Sequence, residues 1–270
     1  MKMTPKILAV LNFIAFAFHL TFSYLVQLKY FSILDVGQVS ARYDTVFAPA
    51  GITFAIWGLI YLALFAFCIF HLYAAFAKAD IQHTNLDTKN IGWLFIVNNI
   101  ATGIWLLAWV NEQLLTSVIL ILIQLVTLII ISVRAHISNP DRPISTKIFT
   151  QFPLSIYFAW ICIATIANIS AYLKSLNWSG AGISDNFWVI IMIGAATLIS
   201  LFVILVRRNI PFGFVVIWAL YGIILKRQQV NPTDFENVIN AAYAAFVVIL
   251  LALIIRLFSG VKSGKELINP

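Results

Sequence analysis

Charge is scarce in this chain. Asp, Glu, Lys and Arg make up 10% of its 270 residues, against about 25% in an ordinary soluble domain. No polar segment is long enough to fold as a separate soluble domain. No charged residue sits at the centre of an apolar run. Ionisable groups at membrane depth mark proton relays and ion pathways, so their absence argues against a proton-coupled pump or a channel with a charged filter. A carrier for apolar or amphipathic solutes stays open. Cysteine is scarcer still: Cys68 and Cys162 both lie in apolar runs, read as small core residues and carry no redox message. The four histidines, His19, His71, His83 and His136, stand at no ligand spacing to one another, to a cysteine or to an acid, so no metal site is expected. A Gly-rich phosphate loop, a nucleophile elbow and a positioned acid pair are missing too. An enzyme is not expected, and Arg42, Tyr43 and Asp44 are the only reactive cluster on offer.

Apolar sequence is abundant. Hydrophobic residues reach 62% and the mean hydropathy is +0.97, which implies an all-α, polytopic membrane helix bundle. Eight runs are candidate spans: 7–26, 52–75, 91–110, 114–133, 148–173, 187–206, 210–225 and 238–257. In the first, Ala15-Phe16-Ala17 resembles a signal cleavage site, but the run continues to Ser23, too long for a signal core, so a retained span is expected. The run 210–225 falls short of the roughly 20 residues a straight crossing needs, and whether it fully spans stays open. Residues 29–47 are long enough to fold over the membrane surface as a lid, and Asn111-Glu112-Gln113 reads as a tight turn between antiparallel spans.

With eight spans both termini share a side. Lys29, Arg42, Lys174, Lys226 and Arg227 then face one way, and the other twelve of the 17 Lys and Arg face the other, with the termini. The excess of basic residues puts both termini in the cytoplasm. The net charge of +7 is therefore a membrane-topology signal, and no nucleic-acid partner is expected.

Aromatic residues make up 14% of the chain, with eight Trp. Trp93, Trp109, Trp178 and Trp188 stand at span ends, where an interfacial belt is expected. Trp57, Trp105, Trp160 and Trp218 lie deeper, facing either a ligand or other helices. Trp57 and Tyr61 are four apart and share a helix face. Trp160, Ala164 and Asn168 repeat at i, i+4 and i+8, with Tyr157 a turn before Trp160. Asn98, Asn99, Gln124 and Asn168 are costly against lipid and should point inward, either to a pocket or to hydrogen bonds between helices. Rings with a few amides describe a pocket for a flat, mostly apolar molecule. His19 is expected to be the one histidine at membrane depth, in an interhelical hydrogen bond or lining that pocket.

At these residues the chain resembles the TspO family, the tryptophan-rich sensory proteins related to the mitochondrial translocator protein. Pro49, Trp57 and Tyr61 match its approach to the second helix; Tyr157, Trp160, Ala164 and Asn168 match its fifth, with the proline displaced to Pro153. Trp105 matches its third, although Thr102 replaces an Asn and Asn98 and Asn99 lie a turn earlier. The resemblance covers about residues 7 to 175 and implies a long form: a five-helix TspO-like bundle over 1–175 and three additional transmembrane helices over 176–270 packed on it. It implies a ligand site of Trp57, Tyr61, Asn98, Asn99, Trp105, Tyr157, Trp160, Ala164 and Asn168 for a tetrapyrrole or sterol-like molecule, with no cofactor required. The expected function is that of a sensor, regulator or carrier in a bacterial inner membrane. The expected partners are the lipid bilayer and a hydrophobic small molecule, and a homodimer is compatible with such a bundle. A small-solute transporter and a membrane enzyme acting on lipid or tetrapyrrole are the alternatives.

Overall fold

The computed structural model describes residues 3–77 and 82–265; Lys2, Lys78, Asp80 and Glu266, which enter the charge count, lie outside them. Among the described residues seven helices are long and apolar enough to cross a membrane, or eight if one bent pair counts as a single span. The molecule is a polytopic membrane helix bundle. Its chain divides into two compact units, Met1–Thr45 with Ala55–Asn177, and Val46–Phe54 with Trp178–Pro270.

The first unit begins with α1 (Pro5–Gln27), whose start is fixed by the Thr4 hydroxyl accepting from the Ile7 N–H and by proline in the first turn. Asn12, Phe16, His19 and Ser23 recur at helical spacing on its buried face. The segment expected to be a lid contains α2 (Val36–Arg42), opened by a reciprocal capping box between Asp35 and Gln38. A 3-10 turn, Gly51–Ala55, leads into α3 (Ile56–Phe76). The polar α4 (Gln82–Ile91) bends by 53° into α5 (Leu94–Val110); its polarity sets α4 outside the apolar span. Gly103 on α5 makes room for α1: a Cβ there would lie 2.5 Å from the Phe18 ring.

Glu112 takes a left-handed φ of 58° in the turn to α6 (Leu114–Arg134), closing the expected hairpin in three residues. The one-turn α7 (Ile144–Thr146) runs through a π-wound stretch, Lys147–Gln151, into α8 (Phe152–Ser175). Pro153 follows that stretch in the first turn of α8 and lacks the N–H that would carry the bond ladder back into it.

In the second unit, α9 (Asp185–Leu201) is capped by Ser184 and continues through a π-wound stretch, Phe202–Val206. Asn209 and Pro211 start α10 (Ile210–Val230). This helix has 21 residues and answers the length question over 210–225: it runs on through Lys226 and Arg227, which the sequence reading places in a loop. Arg227 is 2% exposed and its guanidinium lies 4.9 Å from the Phe235 ring centroid, a cation–π contact that favours the buried charge. The last helix, α11, is Glu236–Lys265. The approach to α3, residues 46–54, belongs here as well. The Ala50 N–H donates to the Gly222 carbonyl at 2.9 Å, and the Trp218 indole N–H donates to the Thr53 carbonyl at 3.0 Å. Pro49 and its turn therefore sit with α10, in the other unit from Trp57.

Candidate ligand site

The first unit brings α1, α3, α5 and α8 together around a group of rings. Trp57 and Tyr61, one turn apart on α3, stack at 5.3 Å with 28° between their planes. Trp57 meets Trp160 edge-on at 6.3 Å and Tyr157 at 6.2 Å, both from α8. His19 of α1 stands edge-on to Tyr61 at 5.3 Å and to Trp57 at 6.3 Å. Such offset and perpendicular arrangements are those that ring quadrupoles favour. Tyr157 and Trp160 are buried, whereas Trp57, Tyr61 and Ala164 are half-buried and form the accessible part of the group.

Hydroxyls and amides tie these rings to the helices behind them. The Ser23 hydroxyl donates to the Tyr61 phenol at 2.8 Å, and the Tyr157 and Thr102 hydroxyls are paired at 2.8 Å. The Trp105 indole N–H donates to Asn168 Oδ1, and Asn168 Nδ2 donates to Ser117 Oγ, each at 2.8 Å, so one amide joins α5, α6 and α8. Trp105 also stacks on Trp109 at 5.7 Å.

The two adjacent asparagines of α5 diverge. Asn98 Nδ2 donates to the Gln124 carbonyl at 3.0 Å and to Thr127 Oγ1 at 2.8 Å, locking α5 to α6. Asn99 Nδ2 donates to the Phe95 carbonyl at 2.8 Å, while its Oδ1 lies 3.0 Å from His19 Nδ1 on the α1 side. Of the residues expected at the site, then, Trp57, Tyr61, Tyr157 and Trp160 form one ring group, with Asn99 behind it through His19. Trp105 and Asn168 form an adjoining amide-linked pair, Ala164 lies between Trp160 and Asn168 along α8, and Asn98 faces α6.

Sequence reasoning missed Ser23 and Ser117. Ser23 lies four residues after His19 on the same face, the spacing that singled out Trp57 and Tyr61, so a signal existed. Ser117 lies among apolar residues with nothing to mark it. His71 is buried as well as His19: its ring nitrogens reach Thr88 Oγ1 at 2.7 Å and Thr150 Oγ1 at 2.9 Å. One expectation is corrected. Trp109 is no belt residue; it is 5% exposed and its indole N–H donates to the Val36 carbonyl at 3.1 Å, holding α2 in place.

The segment around α2 is fastened at two further points. The Glu112 carboxylate accepts from Arg42 Nη1 and from the Tyr43 hydroxyl, each at 2.7 Å, and Lys174 Nζ donates to the Asp44 carbonyl. Because Tyr43 donates to a carboxylate, its phenol is held above its ordinary pKa. Arg42 and Tyr43 are thus engaged in fastening this segment.

A family model described as TSPO-like protein matches residues 9–255, beyond residue 175 where the resemblance read from motifs ends. No curated protein and no solved structure matches the chain.

Proposed function

The chain belongs to the TSPO-like protein family, and from that premise we propose that it binds a flat hydrophobic ligand, tetrapyrrole or sterol-like, between the helices of its first unit. In this reading it works as a sensor, regulator or carrier. The observation that supports it most is the convergence of Trp57 and Tyr61 from α3 with Tyr157 and Trp160 from α8, the α8 rings buried and the α3 rings only partly covered. Aromatic faces give a planar guest stacking area at low entropic cost. Trp105, Asn168 and Ala164 extend the wall, and the fastened segment around α2 is its cap. The same reading places the protein in a bacterial inner membrane with both termini cytoplasmic.

The test is a titration of the detergent-solubilised protein with metal-free protoporphyrin, followed by tryptophan fluorescence. Saturable quenching that is lost in a Trp57→Ala, Trp160→Ala double variant is the expected result. Absence of saturation, or the same curve in that variant, counts against the site.

A further inference from the structure

We propose that residues 28–33 are a bilayer anchor: Leu28, Tyr30 and Ile33 insert into the interfacial layer of the membrane where α1 ends, and through them the lipid holds the start of α2. The inference is independent of the ring group and of any ligand it takes.

The anchor is built by the way α1 stops. The Tyr30 N–H donates to the Leu25 carbonyl at 3.0 Å and the Lys29 N–H to the Val26 carbonyl at 2.9 Å. Lys29 takes a left-handed φ of 57°. This bond pair and this φ close a helix and turn the chain sharply aside. Glycine is the usual residue at that position; here it is a lysine, with its side chain exposed. Past the turn, Phe31 stacks on Phe22 of α1, 5.6 Å apart and 6° from parallel, and Phe22 packs on Phe18 at 4.4 Å. Phe31 thus seats the segment on the bundle, and its neighbours are left outside. Leu28 is 59%, Tyr30 74% and Ile33 85% exposed.

Their place along the span says what covers them. Leu28 lies four residues after the exposed Tyr24, and Ile14, Leu11 and Ile7 continue that exposed side down α1. On a helix that crosses a membrane such a side faces lipid. The 23 residues of α1 reach about 34 Å, against about 30 Å of hydrocarbon. Its end, with Leu28, therefore stands at the headgroup layer. Tyrosine and lysine hold a chain at that depth, and Tyr30 and Lys29 stand there together. In water the same apolar side chains would be a standing cost.

The link to α2 is short. Only Leu34 separates Ile33 from Asp35, whose carboxylate caps α2 in the reciprocal box with Gln38. The Leu34 N–H donates to Ser32 Oγ at 3.2 Å, which stiffens the link. Glu112 fastens the far end of α2. Its start is held by Trp109 through the Val36 carbonyl and, with the anchor, by lipid as well.

The experiment places a nitroxide on the full chain in phosphatidylcholine–phosphatidylglycerol vesicles, at Ile33→Cys or at Gln113→Cys, in a variant lacking Cys68 and Cys162. Dissolved oxygen should relax the label at position 33 more than a water-soluble nickel complex does. The order should reverse at position 113, the aqueous reference. Equal nickel access at both positions overturns the insertion. An oxygen preference that appears only at high protein-to-lipid ratio assigns the cover to a second copy and also overturns it. In nanodiscs of the same lipid, Ile33→Glu should speed amide exchange over α2 at least about fivefold. Ile33 is so exposed that a change there reaches α2 through the membrane, so unchanged exchange overturns the anchoring.

Discussion

Asn168 commits both ends of its amide to neighbouring helices, accepting from Trp105 and donating to Ser117. Asn168→Leu leaves a buried indole N–H without an acceptor, for about 1–3 kcal/mol, and the thermal unfolding midpoint in detergent should fall accordingly. Trp105→Phe in the same background should cost far less than in the wild type, since the orphaned group is gone; equal costs would show the two residues to be uncoupled. The i, i+4, i+8 spacing made Asn168 legible. Its partner Ser117 was not, because a contact 51 residues away leaves no periodicity behind. The partners of His71 were illegible for the same reason: Thr88 and Thr150 reach it from separate segments.

Asp87, on the polar α4, shows a different residue-scale effect. Its carboxylate is 1% exposed and accepts from Arg142 Nη2 at 2.6 Å. Burial pushes its pKa up from 3.8 to about 6, against the pull of Arg142, His83 and His136. A raised carboxylate pKa means that the folded protein holds the proton more tightly than the unfolded chain. The stability so gained is complete below 3.8 and lost as pH rises through about 6. The difference in unfolding midpoint between wild type and Asp87→Asn should therefore drift over that window and level off above it; a flat difference refutes the assignment.

At the scale of elements, the hydropathy pattern read the spans well and the pieces between them poorly. Apolar runs near 20 residues can only be helices in lipid, so α1, α3, α6 and α8 follow from composition. The helix α2 was hidden in what read as a polar connection, because its capping box carries no hydropathy signal. The end of α10 was lost because Lys226 and Arg227 look like loop residues, while Phe235 covers the buried Arg227.

Two consequences belong to this scale. Arg42 is well exposed in its pair with Glu112, so Glu112→Ala should cost only about 0.2–1 kcal/mol of global stability. It should nonetheless raise amide exchange over α2 and let the Tyr43 phenol titrate at lower pH; unchanged exchange would mean that Trp109 and Lys174 suffice to hold the segment. In the second unit, Gly222 lies so close to Thr53 and Pro49 that a side chain there has no space. Gly222→Val should part residues 46–54 from α10 and lower the unfolding midpoint by an amount worth about 1–3 kcal/mol, whereas Gly194→Ala on α9, where nothing lies within 4 Å, should not.

For the whole molecule the span count decides the topology. The helix α5 has 17 residues, about 26 Å at 1.5 Å each, slightly under the roughly 30 Å of a hydrocarbon core. Its ends supply the difference: Gly92 and Trp93 before it, and Asn111 of the tight turn after it. The helix α10, with 21 residues, reaches about 32 Å and needs no such help. Counting α5 and α10 as crossings gives eight, an even number, so both ends of the chain emerge on one side. We propose on that count that the termini's side, which takes twelve of the 17 Lys and Arg, is the cytoplasmic one. Reporter fusions test it. An N-terminal and a C-terminal fusion should both report the cytoplasm, and a cysteine placed at Gln113 in a variant lacking Cys68 and Cys162 should react with an impermeant reagent from outside. Termini on opposite sides would make the count odd. A Gln113→Cys label reactive only from inside would then point to α5, with its bent approach through α4, as the segment that enters the membrane without crossing it.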